Sequence, residues 1–385
     1  MVSLWTYPWT FVQEGVDESF ARLTDLDVDS INLAAHYHSV RSLQPRVPEN
    51  LFESQSGGAY FSVDPEQYGQ ITPIENDVAG LDDPLEALCE TAAEFGIETN
   101  AWMVCNHNSM LGETYPDYTI VDAFGTNHFH SLCPSFDAVQ AYYSRVVRDL
   151  ASRGVSEIQL EKLGYPSVFH GHDMRFGHDK RQVFTSDTEE WLLSQCFCSA
   201  CCEKARESGV DIDAARSTVR TILRRSADDP HSNPLPLSRL VQKHPVLDSL
   251  FEIRREVIAG LLESLVESSG SAIINVYLMD GFGPEPGDGW VAGVRLRDIE
   301  STANRVTAMC YESDTSSIRN RLKTFRRSLS LPVDAGVSLD PEYVDSSRKF
   351  TQTVDAIRDE SDGRVFVYNY SLLSDTQLQW LDSLP

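Results

Sequence analysis

Lysine is nearly missing from this chain: six residues among 385. No run of about 18 or more apolar residues occurs, so no transmembrane helix is expected. Neither a Gly-x-Gly-x-x-Gly loop nor a phosphate-cradling Gly-Lys-Ser/Thr motif is present, which argues against nucleotide-dependent chemistry. There is no internal repeat and no low-complexity tract. Met1 to Phe11 has neither a basic start nor a small-residue cleavage site. It is therefore read as a first strand rather than a secretion signal, and a cytoplasmic protein is expected.

What is abundant is negative charge. Fifty-eight acids face 32 bases, a formal net charge of −26, spread along the whole chain. Such a dispersed acidic surface, poor in lysine, resembles proteins from salt-loving archaea, in which salt screens the self-repulsion. A nucleic-acid partner is not expected, because phosphate binding needs a basic footprint. Hydrophobic residues make up 41% of the chain, enough for a large core.

Strand signals alternate with helical patterns. Strands are expected near Ser3–Tyr7, Asp29–Ala35, Glu98–Val104, Val155–Leu160, Ala272–Leu278, Val306–Tyr311, Val333–Ser338 and Val365–Tyr370. Helices are expected near Asp17–Leu26, from Pro84 to Gly96, and over Phe136–Arg153. A long polar loop, about 39–82, follows the second strand. A helical insertion, about 164–270, follows the fourth. Strands alternating with helices imply βαβ units and a parallel sheet. The fold class is therefore α/β, a (β/α)₈ TIM barrel with long loops after strands 2 and 4, as one domain over residues 1–385. Such barrels hold about 250 residues and grow past 400 with insertions.

The working face of such a barrel lies at the C-terminal strand ends. Those ends carry Tyr7 and Trp9, His36 and His38, Asn106, His107 and Asn108, Glu161, Asp280, Tyr311 and Glu312, Asp340 and Glu342, then Tyr368, Asn369 and Tyr370. No comparable polar and aromatic gathering is evident at the opposite ends. Aromatic rings stack on the apolar face of a pyranose, and amides, imidazoles and acids bind its hydroxyls, so a carbohydrate or glycoside is the expected small-molecule substrate. Hydrolysis of a glycosidic bond needs two carboxyls. Glu161, at the mouth of strand 4, is the candidate acid, and Glu312 and Asp340 compete for the role of nucleophile or base. Tyr7, Trp9, His36, His38, Asn106, His107, Asn108, His170, His172, Asp280, Tyr311, Tyr368 and Asn369 are the candidate substrate-binding residues.

Two alternatives stand beside this. His36 and His38 share one side of a regular strand, and His-x-His on a barrel strand is similar to the metal-dependent amidohydrolases, which implies a metal-dependent hydrolase or lyase. That likeness calls for His after strands 5 and 6 and Asp after strand 8, where this chain has Asp280, Glu312 and Asn369. The other alternative is a non-catalytic sugar-binding barrel. His170, His172, Asp173 and His178 form a further cluster after strand 4, suited to substrate or metal.

Eight cysteines without a secretion signal suit free thiols or a metal better than disulfides. Cys196-x-Cys198-x-x-Cys201 suits a tetrahedral zinc lacking one ligand, which Cys202, Cys105, Cys133 or a loop histidine could supply. A Glu after strand 4 followed by this cysteine spacing on a barrel resembles the clan of retaining glycoside hydrolases that includes the family 42 β-galactosidases. The resemblance implies an acid/base after strand 4, matched by Glu161, and a nucleophile after strand 7, nearest to Asp340 or Glu342. It also implies a structural zinc at Cys196, Cys198 and Cys201, with no cofactor required for catalysis. Leu160-Glu161 stands where that clan usually shows Asn-Glu. Homo-oligomerisation is left open by the sequence.

Overall fold

The computed structural model describes residues 2–47, 49–169, 180–184, 186–229, 234–279 and 288–384. Eight parallel strands close on one another: β1 (Val2–Thr6), β2 (Ser30–Tyr37), β3 (Glu98–Val104), β4 (Glu157–Glu161), β5 (Ile273–Leu278), β6 (Arg305–Met309), β7 (Val333–Ser338) and β8 (Val365–Tyr368). Each pairs with its neighbours in sequence. β1 closes the ring against both β2 (Leu4 opposite Ile31) and β8 (Leu4 opposite Val367). This is the expected α/β barrel. β3 and β7 have the expected bounds, and the other strands differ at one or both ends by one or two residues, as fraying termini do.

Alternation along the strands explains the closure. Leu4, Ile31, Leu33, Met103, Ile158, Leu160, Ile274, Val276, Val306, Val337 and Val367 belong to the hydrophobic core between strands and helices. The helices Pro84–Glu94 and Asp137–Ser152 cover that face with Leu85, Leu88, Val139, Tyr142, Val146 and Leu150. Residues one step along each strand point to the axis. Toward the C-terminal ends they are aromatic: Trp5, Trp102, Tyr277 and Phe366 form a second cluster.

Below that aromatic layer the axis is polar. Asn32 Oδ1 accepts from Asn100 Nδ2 at 2.9 Å and from Gln159 Nε2 at 2.6 Å. Asn275 Nδ2 donates to Glu157 at 2.9 Å, and Thr307 donates to Asn275 Oδ1 at 3.0 Å. At the N-terminal ends, Arg364 Nη2 bridges Glu157 at 2.6 Å and Asp334 at 2.8 Å, and Arg305 Nη1 reaches Asp334 at 3.2 Å. The expectation that the opposite ends carry no comparable polar gathering is thus corrected: two buried carboxylates and two arginines gather there. Inward positions near a barrel's end have no helix to pack on, so charges can sit there if they are paired.

The segment read as a polar loop after β2 carries an antiparallel pair, Val40–Leu43 with Phe52–Gln55, and the short strand Gly58–Ala59, antiparallel to the end of β2. Between β4 and β5 lie the helices Asp187–Leu193, Ser199–Glu207, Ile212–Asp228, Leu237–Lys243 and Pro245–Ser268. The first four build a small core of their own from Leu192, Ala205, Ile212, Val219, Leu223 and Leu240. The long last helix joins it through Leu247, Leu250 and Phe251, then packs on the barrel through Ile258, Leu261 and Leu265. Among the described residues no helix is long and apolar enough to cross a membrane.

Candidate active site

At the C-terminal mouth of the barrel a cavity of about 280 Å³ is lined by Trp5, Tyr37, His38, Val40, Trp102, Glu161, Tyr277, Met279, Met309, Tyr311 and Tyr368. That is near the lower end of the roughly 300–1,000 Å³ usual for small-molecule sites. Every strand except β7 contributes a lining residue, from its end or from the turn just beyond. Glu161 is the last residue of β4, 9% exposed, and Trp102 Nε1 donates to its Oε2 at 2.7 Å. Its position is held from β3: Cys105 N donates to Glu161 O at 2.8 Å, Asn106 N to Lys162 O at 2.9 Å, and the Asn106 side chain to Leu163 O at 2.6 Å. Lys162 adopts a left-handed backbone (φ 56°), which turns the chain sharply after the carboxylate.

Tyrosines ring this carboxylate. Burial first, then one another and Glu161, push the phenols of Tyr7, Tyr37, Tyr277 and Tyr311 well above the usual tyrosine value, and Tyr368 moves the same way. They stay neutral hydroxyls at physiological pH, able to donate. Trp5 Nε1 donates to Tyr277 OH at 2.5 Å, and Tyr277 OH donates in turn to Gln159. Tyr7 OH and Tyr368 OH lie 3.2 Å apart.

The two histidines of β2 part company. A bulge in β2 between Ala34 and His36 breaks the alternation. His36 is buried in the layer under the helix Asp137–Ser152, where its Nδ1 donates to Val104 O at 2.8 Å and its Nε2 accepts from Tyr142 OH at 2.8 Å. Burial lowers its pKa to about 4, so it is a neutral packing group. The expectation that His36 binds substrate or metal with His38 is corrected: both of its ring nitrogens are engaged by protein. His38 lines the cavity. Its Nδ1 donates to Ser39 O at 2.7 Å, which leaves Nε2 as an acceptor, and burial keeps the ring neutral.

Several other expected binding residues lie outside the cavity lining. Tyr7 and Trp9 stack on each other with ring centroids 4.5 Å apart, both buried. Asn106 holds the loop after β4, as described above. Asn108 caps the helix Ser109–Thr114, accepting from Leu111 N at 3.1 Å and donating to Tyr37 O at 3.3 Å. Asn108→Ala is therefore expected to cost about 1 kcal/mol in a denaturant melt. Weaker substrate binding at unchanged stability would instead restore a hydroxyl-binding role. Asn369 caps the turn Tyr370–Leu372 through Ser371 N at 2.9 Å. His107 sits half-buried, its ring 5.0 Å from that of His38. Tyr311 and Tyr368 line the cavity as expected. His170, His172, Asp173, His178 and Asp280 lie outside the described residues.

Neither candidate second carboxyl lines the Glu161 cavity. Asp340 lines a neighbouring hollow with Ser338, Leu372 and Gln377, which shares Tyr368 with the first cavity. Its Oδ1 accepts from Glu342 N at 2.9 Å. Glu312 is half-buried, one residue past Tyr311, with its N–H donating to Cys310 O at 3.0 Å. Trp5, Tyr37, Trp102, Tyr277, Met279 and Met309 are lining residues that sequence reasoning missed. The available signal was alternation: Trp5, Trp102 and Tyr277 follow the polar inward positions Ser3, Asn100 and Asn275 by two residues.

The cysteine cluster is completed by Cys133. Its sulfur and those of Cys196, Cys198 and Cys201 all lie within 4.8 Å of one another, and all four residues are buried. Cys133 Sγ and Cys201 Sγ are 3.5 Å apart, close to the edge of roughly 3.8 Å that four sulfurs at about 2.3 Å from one zinc would have. Backbone N–H groups already aim at the sulfurs: Val121 N lies 3.4 Å and Cys198 N 3.5 Å from Cys196 Sγ, and Cys201 N lies 3.5 Å from Cys198 Sγ. Burial opposes ionisation of Cys196, but bonds from Cys133, Cys198, Cys201 and Val121 hold its thiol well below the usual value. This donor set fits a metal ion. Cys202 stands apart, bonded to Phe197 O and to Arg216. Cys133 comes from the loop after β3 and the other three from the loop after β4, so the cluster ties together the two loops that follow Trp102 and Glu161.

No protein-family model matches the sequence, and neither does any curated protein. Among solved structures the chain is similar to the β-galactosidase from the psychrophilic Marinomonas ef1, with TM-score 0.59 and 8% identity over 99% of this chain and 58% of that one. It is also similar to α-L-fucosidase isoenzyme 2 from Paenibacillus thiaminolyticus, with TM-score 0.52 and 13% identity over 95% of this chain and 44% of that one. The chain thus spans about half the length of either enzyme. At these identities the likeness is one of fold: this chain shares with both glycosidases a closed, all-parallel α/β barrel.

Proposed function

We propose that the protein is a glycoside-hydrolase-like enzyme acting on a sugar or glycoside, with Glu161 as the general acid. One observation carries the reading: a nearly buried carboxyl at the end of β4 faces an aromatic-lined cavity at the mouth of a barrel. Trp102 orients the carboxyl through its indole N–H. A pyranose lies against Trp5, Trp102 or Tyr311, tyrosine hydroxyls donate to its oxygens, and His38 Nε2 accepts from a hydroxyl. Glu161 then protonates the departing glycosidic oxygen. Asp340 is the better second carboxyl, because its hollow adjoins the Glu161 cavity at Tyr368; Glu312 is the other candidate.

The test is a screen of aryl glycosides from low to molar salt, comparing wild type with Glu161→Gln and Asp340→Asn. Equal turnover by wild type and Glu161→Gln overturns the assignment. The anomer of the first product, read by NMR, reports the course. Retention needs carboxyls about 5–5.5 Å apart, and inversion about 6.5–9.5 Å.

Cys133, Cys196, Cys198 and Cys201 would hold one zinc ion in a closed, four-thiolate structural site that leaves no position for a reacting water. Elemental analysis is expected to give one zinc per chain, kept by His36→Ala and His38→Ala and lost by Cys198→Ser. Zinc lost with the histidines instead would move the metal to β2.

A further inference from the structure

Among the described residues, Arg254 has no partner for its charge. It lies mid-way along the helix Pro245–Ser268 and is 2% exposed. All three guanidinium nitrogens are buried without a hydrogen-bond partner among the described residues. Its guanidinium carbon sits 3.9 Å from the centroid of the Tyr165 ring. Tyr165 OH is 2.7 Å from Ser135 Oγ, and Ser135 Oγ is 3.1 Å from Cys201 Sγ. Among the described residues no carboxylate forms an ion pair with it. Burial disfavours its charge, and the groups placed to oppose that when ionised are Tyr165, Cys201, Cys196 and Cys133. A cation this deep needs an anion, and the sulfur cluster reached through Tyr165 and Ser135 becomes strongly anionic when it binds metal. Four thiolates around a divalent ion carry a net charge of −2.

We propose that Arg254 is the buried counter-cation of a divalent metal–tetrathiolate centre at Cys133, Cys196, Cys198 and Cys201, so that metal binding and the burial of this arginine stabilise each other. The inference rests on the metal reading of the cysteine cluster. Without metal the cluster carries less negative charge than the metal-bound dianion, and the buried guanidinium is less well compensated. With metal the centre is a dianion, and the guanidinium offsets half of its charge. The Tyr165–Ser135–Cys201 chain adds direction: Tyr165 OH donates to Ser135, and the Ser135 hydroxyl turns to donate to the thiolate. Outer partners of this kind orient ligands and tune metal affinity. Arg254 is thus a positioning residue that acts through charge, with no contact to substrate.

The test compares wild type, Arg254→Met and Arg254→Lys as full-length chains, with Zn²⁺ as the probe. Competition against a chromogenic chelator is expected to show about a 10–100-fold loss of zinc affinity in Arg254→Met, with Arg254→Lys much closer to wild type. Thermal melts give the signature that packing alone would not. Arg254→Met should lose more melting temperature relative to wild type with zinc bound than after zinc removal, because the guanidinium faces more negative charge in the metal-bound centre. If Arg254→Met proves insoluble, Arg254→Lys with Co²⁺ in place of zinc decides: the thiolate-to-cobalt absorption should persist at near wild-type affinity. Unchanged zinc affinity in a zinc-binding, folded Arg254→Met overturns the inference alone. Wild type that binds no zinc overturns the metal reading, and the inference with it.

Discussion

Glu161→Gln is expected to lower kcat on aryl glycosides by about 10²–10⁴-fold, the usual worth of a positioned general acid. The substitution keeps the shape and keeps an oxygen to accept the Trp102 N–H, now 2.7 Å from Oε2. Folding stability should therefore change little, and the loss should fall on kcat rather than KM. Two further readouts distinguish proton donation from a mere effect on binding. A general acid must be protonated to work, so wild-type activity falls as pH rises through its pKa. Residual activity of Glu161→Gln should lack that alkaline limb. Aryl groups that leave without help, such as dinitrophenolate, should lose far less than unactivated ones, because their departing oxygen needs no proton. A variant that loses activity equally on both kinds of substrate would move Glu161 from donor to binder.

Asp334→Asn is expected to cost about 3–5 kcal/mol of folding stability, the range for breaking a buried ion pair from one side. Asp334 is fully buried and receives Arg305 at 3.2 Å, Arg364 Nη2 at 2.8 Å and the Arg364 N–H at 2.7 Å. With Asp334 neutral, Glu157 alone faces two guanidiniums, at 2.6 Å from Arg364 and 3.9 Å from Arg305. The arginine side chains are 12% and 23% exposed, so water relieves part of the imbalance and the lower end of the range is expected. Salt sharpens the test. Ions screen exposed pairs but reach buried ones poorly, so the loss should persist in molar KCl, whereas the effect of removing a surface pair should vanish there. A change in urea midpoint worth less than about 1 kcal/mol would show the cluster to be nearly neutral for stability. Because Asp334 lies at the far end of the axis from Glu161, activity measured well below the melting temperature should survive.

The strands were legible because their outward faces are runs of Val, Ile and Leu at intervals set by helix length, and that local pattern survives any tertiary context. Glu161 was legible for the same reason: it ends one such run, where a barrel places its chemistry. The aromatic lining was not. Trp5, Trp102 and Tyr277 look like core residues in sequence, and only closure of the ring turns them toward a shared axis. His36 misled because one inserted residue in β2 reverses the side on which a side chain emerges, and a bulge has no marker in the residue types. The ion cluster of Glu157, Asp334, Arg305 and Arg364 joins residues of three strands and of the turn before a fourth, up to about 200 positions apart, so nothing local announces it. The same division runs through the cysteines. The spacing Cys196-x-Cys198-x-x-Cys201 determined three sulfurs of one site, since a short turn suffices to gather them. That Cys133 is the fourth, and that Arg254 lies beside them, was decided by how the loops after β3 and β4 and the last helix of the insertion pack together. The order of apolar and polar residues was enough to specify the barrel and one carboxyl of its site; which groups meet across the axis and between the loops depends on ring closure and register, and these exist only in the folded chain.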